Sequence, residues 1–264
     1  MKHFDSRSFR GLGLVLLSGA SSCTLYQPLL NMLPAVRKPG QGAVALNGSF
    51  PYGVQGTATL SPLPHTLVFA GGGLHAYNVE RDSSNNYARN RQYEVGIGGY
   101  FNVKQTWLSA TVGGGRARGY RYGKFGSSDS GGGFGILGLP TGGKARWTPV
   151  PELLGYYNTR FVQLTGWWQD ARHPNQEIGA SLRLNQVQFT QLTLNGEVQP
   201  LPATQHYVQL AIVTQKPLWR QLRWQAAASW DFSSPLIPAN AALARAPLRV
   251  WAGLVLGPRQ ARVQ

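Results

Sequence analysis

Cysteine is almost missing from this chain: one residue, Cys23, in 264. A framework of disulfides is therefore excluded. Acidic residues are also scarce, ten against 25 lysines and arginines, which leaves a net charge of +15. No run of 18 apolar residues occurs after Cys23, so no helical membrane span is encoded there. Sustained heptads are absent, which excludes a long coiled coil, and the aromatic content of 11% argues against disorder. The basic residues are 19 Arg and 6 Lys, scattered singly with no stripe or run. That pattern does not point to nucleic acid. Anionic lipid or lipopolysaccharide phosphate is the better counter-charge for a chain that leaves the cytoplasm.

Export is read from the first 23 residues. "GLGLVLLSGASSC" (11–23) comes after Lys2, Arg7 and Arg10. The apolar part is too short to span a bilayer, which takes about 20 residues. A basic start, a short apolar core and small residues at its end make a secretory signal peptide. Two cleavage sites compete. Ser18, Gly19 and Ala20 suit cleavage after Ala20, while Ala20, Ser21, Ser22 and Cys23 resemble a relaxed lipobox with the thiol at the new N-terminus. The lipobox reading explains why the single cysteine stands where it does, and makes Cys23 the lipidation site.

Beyond Cys23 the chain is dominated by period two. In "LRWQAAASWDF" (222–232), Leu222, Trp224, Ala226, Ala228, Trp230 and Phe232 share one face, and Arg223, Gln225, Ala227, Ser229 and Asp231 the other. Successive strand side chains point to opposite faces, so this is a strand with one apolar and one polar side. "RQYEVGIGGYF" (91–101), "IGASLRL" (178–184) and "GVQGTATLS" (53–61) repeat it. Around Asn185 the phase slips, with Val187 and Phe189 becoming the apolar set, which a bulge or the end of the membrane face would explain. The pattern predicts ten strands, near 43–50, 53–61, 66–77, 91–103, 106–118, 158–168, 176–190, 206–215, 220–232 and 246–257. Most exceed the 5–6 residues of an average soluble strand and match the roughly 9–11 of a tilted membrane strand.

After the first hairpin, short connections ("PLPH", "KQ", "QDARHPN", "KPLW") alternate with long ones. Membrane barrels show this asymmetry between periplasmic turns and external loops. The reading is an all-β chain folded as an antiparallel up-and-down membrane β-barrel of about ten strands. Its expected parts are a lipoprotein signal peptide (1–22), a lipidated tether (23–41), a barrel (42–257) and a C-terminal tail (258–264). An even strand count returns both ends to the periplasmic side, so the anchor is expected in the periplasmic leaflet of a bacterial outer membrane. Outer-membrane lipid and the insertion machinery are the expected partners.

"CTLYQP", "RKPGQGAVALNGSF", "GYYNTRFVQLTGWW" and "IGASLRLNQVQF" together resemble the Bacteroidota-type lipoprotein outer-membrane β-barrel proteins. The resemblance spans most of the chain after Cys23. It implies fold and location and carries no catalytic residues. One departure is the C-terminus, "GLVLGPRQARVQ", which lacks the terminal aromatic residue usual in such barrels.

Catalytic patterns are thin. "GLPTGGKA" (138–145) approaches a phosphate-binding loop, but Ala145 lacks the hydroxyl, and Pro149 and Pro151 forbid the helix such a loop requires. No G-x-S-x-G or H-x-x-x-H occurs. His75 with Glu80 or Asp82 is the only local acid–histidine candidate for a barrel hydrolase, and the chain is read as no enzyme, with no cofactor. Arg116, Arg118, Arg121 and Lys124 fall in the longest predicted loop, where they could bind phosphate. Glu94, Arg183, Arg223 and Asp231 lie on polar strand faces, and are expected to pair as a charged plug inside the barrel. The role inferred is structural, adhesive or ligand-binding through external loops. The alternatives are a soluble lipocalin-like lipoprotein with its apolar faces inward, and a barrel hydrolase.

Overall fold

The computed structural model describes residues 26, 28–30, 32–50, 53–81, 84–123, 150–169, 176–219, 221–233 and 248–257. The signal peptide, Cys23, Lys124, the 138–145 segment and the 258–264 tail lie outside the described residues. Eleven strands run in chain order: β1 (Gly42–Phe50), β2 (Gly53–Leu60), β3 (Thr66–Arg81), β4 (Ser84–Val103), β5 (Thr106–Gly123), β6 (Val150–Gln169), β7 (Glu177–Leu194), β8 (Glu197–Val198), β9 (Gln205–Pro217), β10 (Leu222–Ser233) and β11 (Leu248–Leu256). Apart from the two-residue β8, they are the ten predicted strands. Apart from β8, which pairs only with β7, each strand pairs antiparallel on both sides; β1 closes on β11 and β7 bridges β6 to β9, so the barrel is closed.

Alternation decides which side is which. Along β10, Arg223, Gln225, Ala227 and Ser229 are buried, while Leu222, Trp224, Ala226, Ala228 and Trp230 are partly exposed. The outer face carries Val95, Ile97, Val112, Leu164, Leu184 and Ile212, each more than half exposed. An apolar belt of this extent around a closed barrel is a lipid-facing surface. The protein is therefore a transmembrane β-barrel. The lipocalin-like alternative fails here, because it requires these same side chains to point inward.

Two boundaries differ from the periodic reading. β4, β5 and β6 run well past the apolar belt, so 84–90, 119–123 and 150–157 are strand where loop was expected. The first two stretches are polar and Tyr-bearing on both faces, with no apolar alternation to betray a strand, and 150–157 carries Pro151 and Gly155, which read as loop. The irregularity expected at Asn185 sits further along. Tyr157 pairs with Phe189 and Tyr156 with Gln191, leaving Thr190 as the extra residue of a bulge. Asn185, Val187 and Phe189 all remain on the inner face. What changes near 185 is the chemistry of the lumen, from polar to aromatic, with no change of phase.

Candidate functional site

The lumen is occupied by the chain's own N-terminal segment. Residues 26, 28–30 and 32–37 belong to a strap that passes down the inside of the barrel and reverses at 38–41 to enter β1. Tyr26 marks its upper part. Its ring lies 4.9 Å from Tyr207 and 5.6 Å from Tyr157, both near the strand ends that carry the long connections. Val36 and Leu33 mark its lower part, beside Trp107 and Trp167 at the short-turn end. The segment expected as a periplasmic tether is thus an internal plug. Its apolar side chains explain why. Leu29, Leu30, Met32, Leu33 and Val36 are all buried, and the last four share one apolar cluster with inward aromatics such as Phe69, Trp107, Phe161 and Trp167.

An extended strap in a closed barrel has no strand partner for its amides, so side chains from the wall must satisfy them. Gln55 does so twice: its Oε1 accepts the Leu30 N–H at 2.6 Å and its Nε2 donates to the Leu30 carbonyl at 3.0 Å. Gln209 Nε2 donates to the Leu29 carbonyl (2.9 Å), and Arg249 to that of Pro28 (2.6 Å). The indole N–H groups of Trp167 and Trp107 donate to the carbonyls of Leu33 and Val36, each at 2.8 Å. Two glycines make room: a Cβ at Gly73 would stand 2.5 Å from Leu29 Cδ2, and one at Gly179 2.7 Å from Met32 Cε.

The four charges expected inside are all luminal. Glu94 and Arg183 form a two-pronged pair at 2.5 and 2.9 Å, while Arg183 also donates to Asn185 and stacks 3.6 Å from the centre of the Phe161 ring. Arg223 reaches Glu177 at 3.0 Å, and Glu177 also takes Arg37 of the strap at 2.8 Å. Asp231 lies 3.4 Å from Arg249. Glu177, Arg37 and Arg249 were missed in the sequence because their partners are far away along the chain. Wall charges and strap form one connected plug.

The other expected groupings dissolve. Arg116, Arg118 and Arg121 belong to β5, not to a loop, and strand parity separates them: Arg116 and Arg118 face outward, Arg121 inward. They cannot converge on one anion. His75 faces the lumen, its ring edge-on to Trp251 at 5.8 Å. Neither ring nitrogen has a hydrogen-bond partner among the described residues, and the side chains of Glu80 and Asp82 lie outside those described. His65 stands in the turn between β2 and β3, and His206 is exposed near the start of β9. No cluster of three metal-ligating side chains occurs among the described residues.

No protein-family model matches this sequence, and no curated protein matches it. Among solved structures, the chain is similar to the outer membrane protease OmpT from Escherichia coli, at 10% identity over 82% of this chain and 93% of that one, with a TM-score of 0.45. It is also similar to the translocator domain of the autotransporter NalP from Neisseria meningitidis, at 10% identity over 83% and 87% of the two chains, with a TM-score of 0.43.

Proposed function

We propose that the chain is a self-plugged barrel of the bacterial outer membrane, a non-conducting scaffold whose role is structural, adhesive or ligand-binding through its external loops. The observation that carries this reading is the strap at 26–37, held to the wall by Gln55, Gln209, Trp107, Trp167 and Arg249. A ten-stranded barrel has little more lumen than its own side chains fill, and an extended chain takes up what remains. Planar-bilayer recording of the purified protein tests it. The full-length protein gives no steady conductance, and a variant lacking 26–37 that still shows heat-modifiable mobility gives stepwise openings. Open channels in the full-length protein refute the plug.

The same reading includes acylation of Cys23, and here the strap changes the expected geometry. Only Thr24 and Leu25 lie between Cys23 and Tyr26, and three residue steps reach about 10 Å at most. Tyr26 is in the half of the lumen nearest the long connections. With the strap seated, acyl chains on Cys23 belong to the external side, not to the periplasmic leaflet expected from the strand count. Intact-mass measurement of the wild type and of Cys23→Ser decides acylation. An antibody against the residues that follow Cys23, applied to intact cells, decides the side.

A further inference from the structure

We infer that the outer faces of β4, β5 and β6 bind the phosphate groups of lipopolysaccharide in the outer leaflet. Five arginines point outward there: Arg89 and Arg91 on β4, Arg116 and Arg118 on β5, Arg160 on β6. They begin where the apolar belt stops. Going up β4 the outward residues are Val103, Phe101, Gly99, Ile97, Val95 and Tyr93, then Arg91 and Arg89. Ten residues of tilted strand cover the roughly 25 Å of an outer-membrane apolar band, so Arg91 stands at headgroup height. On β5 the change comes between Val112 and Arg116, and on β6 between Val162 and Arg160, at neighbouring positions of the register. This end of the barrel carries the long connections, which makes it the external end and its leaflet the one that holds lipopolysaccharide. The inference rests on the orientation used under Proposed function, but not on the plug.

The register concentrates the charge. Arg91 and Arg118 are direct cross-strand partners, and Arg116 is opposite Tyr93 on one side and Asn158 on the other. Like charges directly opposite on a sheet face repel, unless an anion lies between them. Glu152 is the one carboxylate on the outer face of these strands among the described residues, and it stands beyond the arginines, near Tyr120. Elsewhere Arg118 is held 5.5 Å from the centre of the Tyr156 ring, which keeps its fork at the surface. Gly114 and the Tyr93 ring shape a shallow groove of ≈ 350 Å³, bordered by Arg116, Arg160 and Gln186. A second, of ≈ 430 Å³, lies on the other side of Tyr93, between Leu74, Arg91 and Arg118. Planar guanidinium forks above an apolar face, with amide and phenol groups beside them, suit a phosphorylated glycolipid.

The test uses the full-length protein in detergent, with diphosphorylated lipid A as the probe and its dephosphorylated form and inorganic phosphate as comparisons. Affinity is read by native mass spectrometry or by the shift in unfolding temperature. Wild type binds diphosphorylated lipid A in preference to both comparisons. A basic residue near an anionic lipid surface contributes about fivefold, so Arg91→Gln with Arg118→Gln weakens binding about 25-fold. Arg91→Lys with Arg118→Lys keeps most of it. Should the glutamine pair lose heat-modifiable mobility, Arg116→Gln with Arg160→Gln serves as the second test and shows the same loss. Equal binding of the dephosphorylated lipid, or an unchanged affinity in a folded glutamine variant, overturns the assignment. An equal response to inorganic phosphate overturns the lipid as its source.

Discussion

Replacing Gln55 with Ala isolates the clamp that holds the middle of the strap. The wild-type carboxamide makes two hydrogen bonds to Leu30, at 2.6 and 3.0 Å, in a fully buried setting. Alanine removes both and leaves the Leu30 amide and carbonyl without those partners. A buried polar group stripped of its partner costs about 1–3 kcal/mol, so the pair amounts to about 2–6 kcal/mol against the seated strap. Since about 1.4 kcal/mol is a factor of ten, the released fraction rises about 30- to 20,000-fold. The barrel wall should be nearly unaffected, because Gln55 keeps its backbone pairing to β1 and β3. Hydrogen–deuterium exchange with mass spectrometry resolves the two. Peptides covering 26–37 exchange faster in Gln55→Ala, while β4 to β7 exchange as in wild type. Unchanged protection of the strap would refute the clamp. Faster exchange throughout would show that the strap and the wall unfold as one unit.

Gly73→Val pushes on the strap from another side, since its new atoms meet Leu29; overpacking of this kind costs about 1–3 kcal/mol, and adding Leu29→Ala should restore most of the lost strap protection. Glu94→Gln strands Arg183 in the lumen at a cost of about 3 kcal/mol, read as a lower unfolding temperature in detergent, whereas Glu94→Leu with Arg183→Met recovers most of the loss. Brominated lipid should quench Trp168, Trp224 and Trp230, which face outward, and spare Trp107, Trp167 and Trp251, each at most 1% exposed; single Trp→Phe variants assign the signal.

Strand number, strand phase and membrane class were all legible in the sequence, because a barrel wall is read locally. Each strand has to offer apolar side chains to lipid at every second position, and that demand is written in 9–13 consecutive residues. The Asn195–Gly196 turn was not read in the sequence, although its two positive φ angles (51° and 82°) call for that dipeptide. The luminal charges could be placed on the inner face by parity alone. Their partners could not, as Glu94 and Arg183 are 89 residues apart and Arg37 and Glu177 are 140 apart. The strap was hidden for a related reason. Leu29, Leu30, Met32, Leu33 and Val36 gave a signal, being too apolar for a solvated tether, as did Trp107 and Trp167 on otherwise polar faces. Neither signal names the other, because an extended plug makes its contacts only after ten strands have closed around it. Strand parity split Arg116 and Arg118 from Arg121 onto opposite faces, and only the register of β4, β5 and β6 brought Arg89, Arg91 and Arg160 to the outer pair.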